Sequence, residues 1–265
     1  MFPDFTLGNI THPTYGTIGL VALIIGAAVA SLRIKRFGFN DMDVILATVF
    51  GGGFLVVGGG LLQALVQLPR LIQHWEHFSG DFFGIINFLF NGMVFYGGLF
   101  GAIFGLWVYA KVFKKSYGNL LRVAVPVLPL IHGIMRIGCF AAGCCHGMPH
   151  DVLGIAFTRS IVAPNGIPFL PVPLYETAMN LIIFAILWQF SKKERKPLHL
   201  ICLYAMPYAI GRFALEFLRG DAIRGFVFGL STSQFISVLI VATCVVALIF
   251  DIIKGRQGAA PTKPT

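Results

Sequence analysis

A chain of 265 residues that is 57% hydrophobic and only 12% charged, with a mean hydropathy of +0.81, lies outside the balance of a soluble domain, where about a quarter of residues are charged. Twenty basic residues against eleven acidic ones give a formal net charge of +9. The basic residues gather in short clusters between apolar runs, which suits a bilayer and gives no reason to expect a nucleic-acid partner.

A bilayer core about 30 Å thick needs roughly 20 apolar helical residues to cross it. Seven runs qualify: residues 15–32, 44–68, 82–110, 120–137, 172–190, 198–218 and 230–253. The first lacks a basic leader and a small-residue cleavage site, so it reads as a retained span. In the second, Gly51 to Gly53 and Gly58 to Gly60 lack the Lys and Ser or Thr of a phosphate loop and read as close helix packing through small residues. The HWEH stretch, His74 to His77, with Phe78, Phe82 and Phe83 after it, reads as aromatic anchoring at an interface. The third run has room for a short interfacial piece before its span. The expected fold is therefore an all-α polytopic membrane protein of about seven transmembrane helices, with one domain over residues 1–254 and a disordered cytoplasmic tail over 255–265.

Basic clusters follow the first run (Arg33, Lys35, Arg36), the third (Lys111, Lys114, Lys115, with Arg122 after them), the fifth (Lys192, Lys193, Arg195, Lys196) and the seventh (Lys254, Arg256, with Lys263 after them). Alternate ends share one side, and the positive-inside rule makes that side the cytoplasm, placing the amino terminus outside and the carboxyl terminus inside. Six arginines fall outside this pattern: Arg70, Arg136, Arg159, Arg212, Arg219 and Arg224. Arg136 and Arg212 lie within apolar runs, where a charge costs about 2.5–3.5 kcal/mol on translocon scales and faces the bundle interior or a wet cavity. A structural reading pairs Arg212 with Glu216, one helical turn on. A functional reading uses the guanidinium fork for phosphate, which points to an anionic phospholipid headgroup.

The stretch RIGCFAAGCCHG, from Arg136 to Gly147, is the densest chemistry in the chain. Its cysteines, Cys139, Cys144 and Cys145, admit several readings: a disulfide on an oxidising face, active-site thiols lowered in pKa beside Arg136, a metal site, or packing. The separated C-x2-C pairs of a zinc module are missing, so neither a metal nor another cofactor is expected.

Several blocks together resemble the prolipoprotein diacylglyceryl transferases: PTYG from Pro13, GMVFYGGLFG from Gly92, RIGCFAAGCCHG, PVPLYE from Pro171, GRFALEFLRGD from Gly211 and TSQFIS from Thr232. The resemblance runs along almost the whole chain. It implies a seven-helix enzyme of the bacterial cytoplasmic (inner) membrane with its site toward the outer face. Such an enzyme moves a diacylglyceryl group from phosphatidylglycerol to a protein or peptide thiol, and glycerol phosphate leaves. Arg136 and Arg212 match the family's phosphate-handling arginines, and Tyr15, Gly98, Gly143, Tyr175, Glu176 and Glu216 also match. Gly97, Gly98 and Gly143 are expected to allow close backbone approach. The family signature resembles R-[IL]-G-N-F-[IV]-N-G-E, and here its first asparagine is Cys139 and its glutamate is Cys144. An H-G-G-L block has Tyr96 for histidine. The acceptor thiol needs a base, and with those positions changed the candidates are Cys144 itself, His132 and His146. The alternatives are a divergent relative that acts on a different acceptor or lipid through Cys144, and a non-catalytic phospholipid-binding protein.

Overall fold

The computed structural model describes residues 3–7, 10–78, 80–90, 92–160, 162–220 and 226–258. The chain forms two compact units: Ala27–Leu121 makes one, and Met1–Gly26 with Arg122–Thr265 makes the other.

The first of these carries α2 (Asp41–Gln73), α3 (Trp75–Phe78), α4 (Phe82–Phe90) and α5 (Phe95–Val112). A capping box starts α2: the Asn40 side chain accepts from the Asp43 N–H and the Asp43 carboxylate accepts from the Asn40 N–H, each at 2.8 Å. The helix continues through Pro69 to Gln73, past the end of its apolar run. Helices α2 and α5 pack so closely that a Cβ at Gly58 would run into the Gly97 carbonyl, and one at Gly97 into that of Gly58. Of the glycines expected to serve helix packing, Gly51, Gly58, Gly59 and Gly60 face neighbouring residues closely while Gly53 meets nothing, and Gly97 joins the packed set. At one end Asp43 is buried, accepting from the Tyr109 hydroxyl at 2.6 Å and pairing with Lys115 at 2.9 Å. The third apolar run thus splits into the short α4 and the span α5, as its length suggested.

The other unit opens with a hairpin of β1 (Asp4–Leu7) and β2 (Ile10–Pro13) that leads into α1 (Thr14–Ser31), whose last residues belong to the neighbouring unit. Helix α6 (Tyr117–Ala124), which also straddles the boundary, passes through a 3-10 turn at Val125–Val127 into α7 (Leu128–Ala142). Then come α8 (Val172–Phe190), α9 (Pro197–Glu216) and α10 (Thr232–Gly258). Helix α8 packs against α7 and α9, and α9 against α10. Prolines sit where a missing N–H costs least, in the first turns of α7, α8 and α9. The long connection between α7 and α8 carries a two-residue ladder of β3 (Ile155–Ala156) with β4 (Pro168–Phe169), over a small core of Phe157, Ala163 and Phe169 on which Phe140 packs. A second short ladder, β5 (Phe226–Val227) with β6 (Leu230–Ser231), precedes α10.

Six helical segments are long and apolar enough to cross a membrane, and Tyr96–Val112 is a shorter apolar helix at the place of the third span. The all-α polytopic expectation holds. Helix α10 runs to Gly258, so the expected disordered tail over 255–265 begins as helix; residues 259–265 lie outside the described residues, as do Asp221 and Arg224.

Candidate active site

One end of the α7–α10 group collects the charges that the apolar runs should exclude. Glu176, one turn into α8, has no solvent exposure. Its Oε2 lies 2.6 Å from Arg136 Nε on α7, and its Oε1 lies 3.8 Å from Arg212 Nε on α9 and 3.7 Å from Arg219 Nη1, just beyond α9. Arg212 Nη1 also pairs with Glu216 Oε2 at 2.6 Å, and its Nη2 donates to Ser233 Oγ on α10 at 3.1 Å. The helix-local pair read from the sequence exists, but as one edge of a larger cluster. Three guanidinium groups thus gather round two carboxylates, Glu176 and Glu216, in an apolar bundle. A buried charge is costly unless it is paired, and each of the three arginines has a carboxylate oxygen near it.

The same end brings the cysteines together. Gly143, at φ +73, ends α7 in the left-handed conformation, and a Cβ there would collide with the Ser160 side chain. The turn sends the Gly143 and Cys144 N–H groups back to the Phe140 and Cys139 carbonyls, each at 3.1 Å. Cys145 follows at φ +60, a region a side chain seldom occupies. The sulfurs of Cys139, Cys144 and Cys145 consequently lie within 4.8 Å of one another. None of the five cysteines is in a disulfide. Cys139 is buried and the other two are half-buried. Arg136 reaches both groups, since its Nη1 stands 3.9 Å from Cys139 Sγ.

The chain beyond the turn is pinned to the end of α9. Gly147 bridges to Arg219 in antiparallel fashion, the Gly147 N–H donates to the Leu170 carbonyl and the Met148 N–H to the Leu218 carbonyl, both at 2.8 Å. Hydrogen bonding with the Cys139 and Cys144 thiols, with Arg219 and Arg136 adding their charge, holds the Cys145 thiol below the ordinary thiol range. Hydrogen bonding with Cys139 and Cys145 pushes the Cys144 thiol above it. Cys145 is thus the first of the pair to ionise, where the sequence had put the emphasis on Cys144.

The remaining candidates divide. The Tyr15 ring lies against Gly138, where a Cβ would stand 3.3 Å from it, in the neighbourhood of the three cysteines. Tyr175 adjoins Glu176 on α8 and is half-buried. His132 Nδ1 lies 2.9 Å from the Tyr204 hydroxyl, with the ring beside Tyr208, so it joins a tyrosine pair. His146 Nδ1 lies 2.9 Å from the Gly147 carbonyl, and the ring packs on Phe169. Tyr96, Gly97 and Gly98 belong to the other unit, where Gly97 meets Gly58 and Gly98 meets Leu55 of α2. Sequence reasoning passed over Tyr208, whose hydroxyl accepts from Arg136 Nη2 at 3.5 Å, and Ser233. It noted Arg219 only as an arginine on the wrong side of the charge pattern, and that was the available signal.

A bundle of long apolar helices with three guanidinium groups gathered at one end has the make-up of a multi-span membrane protein. The chain belongs to the prolipoprotein diacylglyceryl transferase family, whose model matches residues 4–250. A phosphatidylglycerol–prolipoprotein diacylglyceryl transferase of Clostridium tetani is 37% identical over 252 residues, covering 92% of this chain and 94% of the relative. One of Clostridium perfringens, numbered 2, is 30% identical over 245 residues, covering 92% and 93%. One of Dehalococcoides mccartyi is 29% identical over 256 residues, covering 96% and 95%.

Proposed function

We propose that this chain transfers a diacylglyceryl group from phosphatidylglycerol to the thiol of a lipoprotein cysteine. The observation that carries the reading is the gathering of three guanidinium groups round Glu176 at one end of the bundle, in a chain whose relatives are named for that reaction. The thiol sulfur attacks the glyceryl carbon next to the phosphate, the C–S bond forms as the C–O bond breaks, and the electron pair leaves on phosphate as glycerol phosphate. Negative charge grows on the departing oxygen, and arginine forks fixed beforehand by Glu176, Glu216, Tyr208 and Ser233 stabilise it without reorganising. Glu176 is a positioning residue in this scheme, because guanidinium groups enclose it.

The site faces the outer leaflet of the bacterial cytoplasmic membrane in this reading. Its support is that the charged end of α7 to α10 lies opposite the ends that carry Lys192, Lys193, Arg195, Lys196 and Lys254. The purified protein with phosphatidylglycerol and a cysteine peptide should release glycerol phosphate and form a thioether peptide. A second reading, transfer to a different acceptor through Cys144, draws on the sulfur at the family's carboxylate position. It predicts glycerol phosphate release with a lipid-modified Cys144 and an unmodified peptide. Binding of phosphatidylglycerol with no release would leave only a lipid-binding role.

A further inference from the structure

The site supplies cations for the leaving phosphate, yet among the described residues no side-chain base stands ready for the acceptor thiol. His132 is engaged with Tyr204, His146 with its own loop, and the Glu176 carboxylate is enclosed by arginines. What stands beside Arg136 instead is three sulfurs. We infer that Cys139, Cys144 and Cys145 form a three-thiolate site for a thiophilic dication of the zinc type, and that the acceptor cysteine is activated by taking its open fourth position.

Geometry carries this reading. Sulfurs at about 2.3 Å from a tetrahedral zinc stand about 3.8 Å apart. The three Sγ atoms already lie within 4.8 Å of one another, so side-chain adjustment of about 1 Å closes the site. The spacing lacks a C-x2-C pair because the backbone does the gathering differently: the last turn of α7 holds Cys139, and the left-handed residues Gly143 and Cys145 fold the next sulfurs over it. The strain of a left-handed non-glycine residue is of the kind that surrounding contacts hold in place at sites of function. Arg136 donates toward Cys139 Sγ, the outer contact that steadies a metal-bound thiolate.

Three protein ligands and one open position are the pattern of a catalytic zinc, as against the four of a structural one. Cys144 and Cys145 are only half-buried, which is compatible with a peptide reaching the fourth position. A thiol that coordinates such an ion gives up its proton, here to water, and becomes the nucleophile without any side-chain base. The bound sulfur then forms the C–S bond while the C–O bond breaks toward the arginines. The thioether product is neutral and a poorer ligand, so it leaves the ion. This rests on the transferase reading above, since only an alkyl transfer to sulfur needs such activation.

The test uses the full chain in detergent, stripped with a chelator under reducing conditions and reloaded with Zn(II) or Cd(II). One ion per chain is expected, with a thiolate-to-cadmium charge-transfer band. Cys139→Ser, Cys144→Ser and Cys145→Ser should each lose it, and Cys202→Ser and Cys244→Ser should keep it. X-ray absorption on the zinc-loaded wild type needs no variant and should show three sulfur ligands, rising to four with a single-cysteine peptide. Phosphatidylglycerol turnover should fall on stripping and return with zinc. Full turnover by a metal-free protein, fewer than three sulfur ligands, no fourth sulfur with peptide, or a Cys–Cys disulfide that excludes Cd(II) would each overturn the site. A loaded site with four sulfurs but no glycerol phosphate release would overturn the transferase reading instead and with it the activating role.

Discussion

Arg136 and Glu176 meet across α7 and α8 at 2.6 Å, the guanidinium Nε against a carboxylate that solvent does not touch. Glu176 is shared with Arg212 and Arg219, so its removal strands several charges at once.

Replacing Glu176 with Gln should therefore lower stability by about 3–5 kcal/mol, the scale of breaking a buried pair from one side. Thermal unfolding in detergent checks this. Asp251→Asn is the control, because its contacts with Lys196 and His199 are at a solvent-exposed end and the melting temperature should not move.

Arg136→Lys and Arg212→Lys keep the charge and lose the fork. Phospholipid turnover should drop roughly 10²-fold or more in each, on the scale of losing one preorganised donor. Lipid binding should weaken far less, and near-wild-type turnover in both would remove the arginines from the reaction.

Alkylation of the metal-stripped protein at neutral pH should modify Cys145 ahead of Cys202 and Cys244, which are buried in helices. Because the Cys145 thiol is held low, its labelling should persist as pH falls below about 8.5, where an ordinary thiol is protonated. Peptide mass mapping reads the order.

Gly97→Val should cost most of the folded yield, since the Gly58 carbonyl fills the space its side chain needs. Gly53→Val should not, because nothing lies within 4 Å of a Cβ there. Size-exclusion profiles separate the two.

Topology is open to a direct check. A reporter fused after Lys254 should be cytoplasmic, and a cysteine at Asn165 should label from outside. The reverse pattern would move the charge cluster to the other leaflet.

The helices were legible because apolar length is a strong signal and the bilayer imposes it. Arg136, Arg212, Glu176 and Glu216 were legible as charges in the wrong place and as family blocks, and the structure gathers all four. Tyr208 and Ser233 were not, because their importance comes from which helix faces meet, and no periodicity within one helix encodes that. That Cys139, Cys144 and Cys145 would come together was not legible from their spacing. A left-handed turn at Gly143 and a second left-handed residue two positions later gather the sulfurs, and such dihedrals are not written in composition.

The bridges that tie Gly147 to Arg219 and Pro149 to Phe169, with the β3–β4 ladder beside them, hold both sides of the loop while residues 164–167 stay exposed. A cut between Asn165 and Gly166 would leave each new end anchored through these backbone bonds. The enzyme is thus divisible there into two pieces, 1–165 and 166–265, that should copurify and reassemble when produced separately.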